Sequence, residues 1–181
     1  MRGNVVVVKG AVGSGKTYYV VYNLLQNPSF RGKTLITNLK IDGFECVNPD
    51  TLSAGSLSIL EKEGYIVFLD DIARVKWTDP RLEERAIRRA ITSFITASVE
   101  DDLERFIPFA NRTVNALGKK RSGDTEVLEY KEQTVGKKEK LVILPVLDEV
   151  FDAILDDYGL TREQRKKLRE RGVVTIRRDD I

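Results

Sequence analysis

Eight consecutive residues, Gly10-Ala11-Val12-Gly13-Ser14-Gly15-Lys16-Thr17, match G-x-x-x-x-G-K-[ST] at every fixed position. Glycines at these places let the backbone wrap until its N–H groups converge on phosphate oxygens. A helix starting at the end of the loop adds its positive dipole end. The pattern therefore predicts a phosphate-binding loop made of Gly10, Ala11, Val12, Gly13, Ser14, Gly15, Lys16 and Thr17, with Tyr18 counted beside them. Lys16 is expected on the β- and γ-phosphates, and the Thr17 hydroxyl on Mg²⁺. A second acidic feature follows five apolar residues, Tyr65-Ile66-Val67-Phe68-Leu69, and ends in Asp70-Asp71. This is the Walker B arrangement. Asp70 is the expected Mg²⁺ ligand, directly or through water. Asp71 is the candidate to orient or deprotonate an attacking water. It is one methylene shorter than the glutamate many such hydrolases use. ATP and Mg²⁺ are the ligands this pair of motifs implies.

Composition narrows the chemistry further. The chain has 181 residues and no histidine, which excludes histidine triads and histidine-ligated zinc. Its one cysteine, Cys46, rules out an intrachain disulfide and a cysteine metal cluster. Lys plus Arg is 30 and Asp plus Glu is 28, a net charge of +2 that excludes a histone-like protein. No apolar run approaches the roughly 18 residues of a membrane span. Met1-Arg2-Gly3 before the valine run leaves no room for a signal peptide. The expectation is a cytoplasmic protein, in the host cytoplasm if the chain is viral. The length suits one domain, with residues 1–146 as the ATPase core and 147–181 as a helical extension of it.

The elements that must position these residues are also legible. Asn4 to Lys9 carries four valines in a row and reads as a buried strand of a parallel sheet. Lys16 to Gln26 has helical spacing. Strands are predicted at Thr34–Asn38, Phe44–Val47, Tyr65–Leu69 and Thr92–Ser98, and helices at Ser56–Glu63, Pro80–Ala90 and Glu100–Ile107. Arg112–Gly118 and Val127–Thr134 alternate and read as a hairpin, with Lys119–Thr125 as its polar tip. A strand at Leu141–Leu144 precedes a helix from Leu147 to Tyr158 with Gly159 as its cap. Thr161 opens a last helix, with Gln164 at the capping-box position and Gly172 at its end. Strands alternating with helices predict an α/β fold: a P-loop NTPase three-layer sandwich, mainly parallel, with an antiparallel edge.

An acid after one strand and polar residues on the next resemble the additional-strand, catalytic-acid branch of P-loop ATPases. The resemblance implies that the Thr92–Ser98 strand sits between the two motif strands. Thr96 or Ser98 would then sense the terminal phosphate. The order of Gly10–Thr17, Thr34–Asn38, Phe68–Asp71, Phe94–Ser98 and Asp101-Asp102-Leu103 resembles the FtsK–HerA superfamily. That group includes viral genome-packaging ATPases and zonula occludens toxin-like phage assembly proteins. The resemblance implies an oligomeric ring that moves DNA or extrudes a virion, with an assembly protein as a further partner. It also implies an arginine supplied by a neighbouring subunit. Arg88 and Arg89 are the first choices among Arg74, Arg81, Arg85, Arg88, Arg89 and Arg105. The second acid, and the lack of the glutamine common on that group's sensor strand, are departures from its pattern.

Basic clusters add a candidate nucleic-acid surface. They are Lys119-Lys120-Arg121, Lys137-Lys138-Glu139-Lys140, and Arg162, Arg165, Lys166, Lys167, Arg169 and Arg171, with Arg177-Arg178 beyond. A solvated, charge-rich surface accounts equally well for the last of these helices. Tyr18, Tyr19 and Trp77 read as packing residues. The alternatives to a DNA motor are an AAA+ helicase-loader-like ATPase and a P-loop kinase. A GTPase is disfavoured because Asn-Lys-x-Asp does not occur.

Overall fold

The computed structural model describes residues 3–155 and 159–171. Four valines, Val5 to Val8, form the middle of strand β1 (Asn4–Lys9) and are all buried. Alternate side chains of a strand leave on opposite faces. Val6 and Val8 accordingly enter one core, with Tyr19, Val20 and Leu24 of helix α1 (Lys16–Gln26). Val5 and Val7 enter the other, with Leu57, Leu82, Ile87 and Phe106. A strand apolar on both sides needs cover on both sides, and this gives the three layers.

The other strands are β2 (Thr34–Thr37), β3 (Lys40–Ile41), β4 (Glu45–Val47), β5 (Tyr65–Leu69), β6 (Thr92–Thr96), β7 (Arg112–Ser122), β8 (Thr125–Thr134), β9 (Lys140–Pro145) and β10 (Ile154–Leu155). The helices after α1 are α2 (Ala54–Glu63), α3 (Leu82–Arg89), α4 (Asp148–Ala153) and α5 (Arg162–Glu170). Eight strands make one sheet in the order β4-β2-β5-β6-β1-β7-β8-β9. Pairings from β4 through β7 are parallel, and β7-β8 and β8-β9 are antiparallel. The α/β, mainly parallel architecture with an antiparallel edge is thus as predicted. Strand β6 lies between β5 and β1, as the catalytic-acid branch requires.

Several local expectations are corrected. The hairpin ladder continues through Ser122↔Thr125, so its turn is only Gly123-Asp124. Lys119, Lys120 and Arg121 therefore lie on the ladder and not at the tip. Leu117 is squeezed out as a bulge between Ala116 and Gly118. The helix predicted from Leu147 stops at Ala153, because Ile154 and Leu155 pair with Ile41 and Lys40. Tyr158 and Gly172 lie outside the described residues. Helix α2 starts two residues early, since Ser53 and Ser56 form a reciprocal capping box. The segment Glu100–Phe109 is a run of 3-10 turns with Pro108 inside. The Thr161–Gln164 capping box is present as predicted.

Glu61 on α2 accepts hydrogen bonds from Arg85 and Arg89 on α3. Burial alone would raise its carboxyl pKa, and the hydrogen bonds from Arg89 and Arg85 outweigh it, holding the group below the usual carboxylate range. A lowered folded pKa stabilises above the unfolded value and is lost as pH falls through the folded one. Glu61→Gln should therefore unfold at lower urea than wild type at pH 7, with the gap closing in acid below the carboxylate range. A gap that stays constant with pH would rule this account out.

Candidate active site

The carboxyl ends of the parallel strands form one edge of the sheet, where open α/β sheets place their ligands. Three of these ends converge here. Strand β1 runs into the Gly10–Thr17 loop, β5 ends just before Asp70, and β6 between them ends at Thr96. The Asp70 carboxylate oxygen Oδ1 accepts from the Thr17 hydroxyl at 2.8 Å and from the Thr96 hydroxyl at 3.1 Å. The Thr96 hydroxyl also accepts the Asp71 N–H at 2.9 Å. Strand order thus brings Thr17, Asp70, Asp71 and Thr96 together from three separate segments. Ser98 lies exposed, two residues past the end of β6, so Thr96 is the polar residue of that strand that meets the acids.

Asn38 is a member that sequence reasoning missed. Its carboxamide donates to the Asp70 carbonyl at 2.7 Å and accepts the Asp70 N–H at 2.9 Å. This two-point clamp fixes the backbone that carries the carboxylate. The only signal in sequence was a polar residue at the end of a strand.

Asp71 has φ 52°, the left-handed region, and is the described non-glycine residue with positive φ. An L-residue rarely rests there, and such strain gathers at functional sites. Its carboxylate meets Arg74 Nε at 3.1 Å, and the Arg74 side chain is 82% exposed. Arg88 and Arg89 lie elsewhere. The Arg88 carbonyl accepts from Gly3 N–H, just before β1 begins, so both arginines sit at the amino end of the sheet. Arg88 pairs with Glu84 and stacks over Phe109, and Arg89 pairs with Glu61. Neither approaches Asp70 of its own chain.

The glycine-rich loop has the shape that close approach demands. A Cβ on Gly10 would lie 2.6 Å from Ser14 Oγ and 2.8 Å from the Ala116 carbonyl. One on Gly15, where φ is +99°, would lie 2.8 Å from the Tyr130 hydroxyl. Ser14 Oγ is buried without a hydrogen-bond partner. The Lys16 ammonium folds back on the Gly10 and Ala11 carbonyls, 2.9 Å from each. A loop with a donor lysine resting on its own carbonyls and an orphaned hydroxyl fits a phosphate group. Thr17 and Asp70 present two hard oxygens side by side, which fits Mg²⁺ carried in with phosphates. No group of three or more metal-ligating side chains occurs among the described residues.

Strand β8 braces the loop from beneath. The Tyr130 hydroxyl donates to the Gly15 carbonyl at 2.7 Å, and its ring meets Tyr19 at 4.9 Å. Tyr19 in turn donates to the buried Glu132 carboxylate at 2.5 Å. Burial pushes both phenols well above their ordinary pKa, so they remain donors. Tyr130→Phe should lose about 1 kcal/mol, the usual net value of such a bond. A melting temperature roughly 2–4 °C lower is expected for a chain of this size. An unchanged melting temperature would mean that the clamp carries nothing. Tyr18, also buried, donates to the Pro145 carbonyl at 2.6 Å and accepts the Leu147 N–H at 2.8 Å. A cleft of about 320 Å³ opens beside the loop, lined by the loop residues Gly13 and Gly15 to Tyr18. Lys119, Leu128, Phe151 and Ile154 line it too.

No helix among the described residues is long and apolar enough to cross a membrane. No protein-family model matches the chain. No curated protein matches it either. Among solved structures, it is similar to the N-terminal domain of zonular occludens toxin from Neisseria meningitidis. The identity is 16%, the TM-score 0.54, and the match covers 85% of this chain and 100% of that one. What the two chains share is therefore an α/β fold, read from structure at low identity.

Proposed function

We propose that the chain is a Mg²⁺-dependent ATP hydrolase that works as an oligomeric motor on DNA, in genome packaging or virion assembly. The observation that carries the enzymatic part is the meeting of Thr17 and Thr96 on one Asp70 oxygen, at 2.8 and 3.1 Å, beside a complete G-x-x-x-x-G-K-[ST] loop. In this reading the loop N–H groups and Lys16 bind the triphosphate, and Thr17 and Asp70 hold Mg²⁺. The ion neutralises charge on the phosphates. Asp71 orients water and accepts its proton at the carboxylate. Thr96 links the acids to the strand beside the loop. The fold likeness to the toxin domain and the sequence resemblance to the FtsK–HerA superfamily support the motor half. The ladder basic residues Lys119, Lys120 and Arg121 are the proposed DNA contacts, with Lys137 and Lys138 in the next turn. An arginine from a neighbouring copy would complete the site. Arg88 and Arg89 can serve only if the neighbour's amino-end edge meets this chain's loop.

The test is ATP hydrolysis with and without double- and single-stranded DNA. Stimulation by DNA that is lost in Lys16→Ala supports the motor. Hydrolysis indifferent to DNA removes the DNA half and favours a loader, an assembly factor or a kinase.

A further inference from the structure

We infer that helix α5 presents a contact surface for the phosphate backbone of duplex DNA, made by Arg162, Lys166 and Arg169. This deepens the proposed function and rests on its DNA half. Sequence alone leaves α5 open between a solvated surface and a phosphate contact, because Glu163 and Glu170 are interleaved with its cations. The folded helix sorts them. Residues four and seven apart share one helix face. Arg162, Lys166 and Arg169 have this spacing, and they line one concavity of about 620 Å³. Glu170 lines it as well, which leaves three cations to one acid there. Glu163 is engaged with Lys167 at 3.5 Å, away from the stripe. Leu168, off that face, is buried and anchors the helix, while Lys166 and Arg169 stay exposed.

The stripe has the dimensions of a backbone contact. From Arg162 to Arg169 a helix rises about 10 Å, at 1.5 Å per residue. One strand of a duplex carries a phosphate every 3.4 Å or so of axis. A straight row of three cations therefore matches about three successive phosphates. Packing also sets the stripe beside the nucleotide loop. The Arg162 guanidinium stands 5.4 Å over the Phe151 ring and 4.0 Å from the Asp148 carboxylate. Phe151 in turn lies 5.0 Å from the ring of Tyr18, the residue after Thr17. Lys119 of the β7 ladder lines the same cleft as Phe151. The ladder cations and α5, far apart in sequence, thus flank one aromatic ring and form a single basic surface. Phosphate contacts fix a duplex in place and read no bases, as movement along any sequence requires.

The test is binding of a labelled duplex to the full chain across a range of salt. The stripe variant combines Arg162→Gln, Lys166→Gln and Arg169→Gln. Its plot of log affinity against log salt should be shallower by about 2.5–3, with affinity lower by roughly 10²–10³-fold at about 0.1 M salt. A control with the same net charge, Lys62→Gln with Lys76→Gln and Lys167→Gln, should keep the wild-type slope. Arg162→Lys with Arg169→Lys should keep it too, since the charges stay, and this pair guards against misfolding. A stripe variant with the wild-type slope overturns the inference and leaves the ladder as the DNA contact. So does a control that loses as much as the stripe variant, or a lysine pair that does. Loss of binding to phosphatidylserine vesicles with duplex binding intact also overturns it, in favour of a membrane surface. If the wild-type chain binds no duplex at low salt, the DNA half of the proposed function itself fails.

Discussion

Lys16→Ala is expected to reduce nucleotide hydrolysis by roughly 10²–10³-fold, on the scale of removing one preorganised donor to developing charge, about 3–4 kcal/mol. The side chain makes two hydrogen bonds, both to loop carbonyls, at 2.9 Å. It joins no buried core, so the fold should survive its removal. Any loss then belongs to the ligand-bound state. Steady-state hydrolysis by Lys16→Ala, with melting temperature as the control, decides the matter. Activity within a few-fold of wild type would remove Lys16 from phosphate binding.

Asp70→Asn should be nearly as costly, through a different cause. The carboxamide oxygen can still accept from Thr17 and Thr96, so the contacts at 2.8 and 3.1 Å and the Asn38 backbone clamp can remain. What disappears is the negative charge that a hard cation needs. The expected result is hydrolysis lower by roughly 10²-fold, partly recovered at high Mg²⁺. Recovery by Mg²⁺ separates a weakened ion site from a broken fold. A variant with wild-type Mg²⁺ dependence would show that Asp70 serves the structure alone.

The loop and the acidic strand end were legible because each is a local pattern, a fixed spacing of glycines or a carboxylate closing five apolar residues. The valine run and the alternation of strands with helices led in the same way to the layers. The contacts that join the segments were not legible. Whether Thr96 or Ser98 meets the acids depends on where β6 ends, and the ladder sets that end against β1 and β5. The Tyr130 clamp spans 115 residues, and no spacing rule reaches that far. Ile154 and Leu155 left their expected helix because β3 offered them a partner strand, a tertiary preference that overrides local propensity. Arg88 and Arg89 precede β6, and the turn before a parallel strand lies at the opposite edge from its end, so only a neighbouring copy could bring them to the loop.

The place of β1 in the sheet has a consequence for the growing chain. Among the described strands it is made first, yet its neighbours are β6 and β7, whose paired residues begin at Thr92 and Arg112. At about 5–20 residues per second, four adjacent valines wait roughly 5–20 s on the ribosome before both partners exist. Such a segment is a ready template for the wrong strand. Helix α1, which follows directly and packs against Val6 and Val8, is the first element able to cover it.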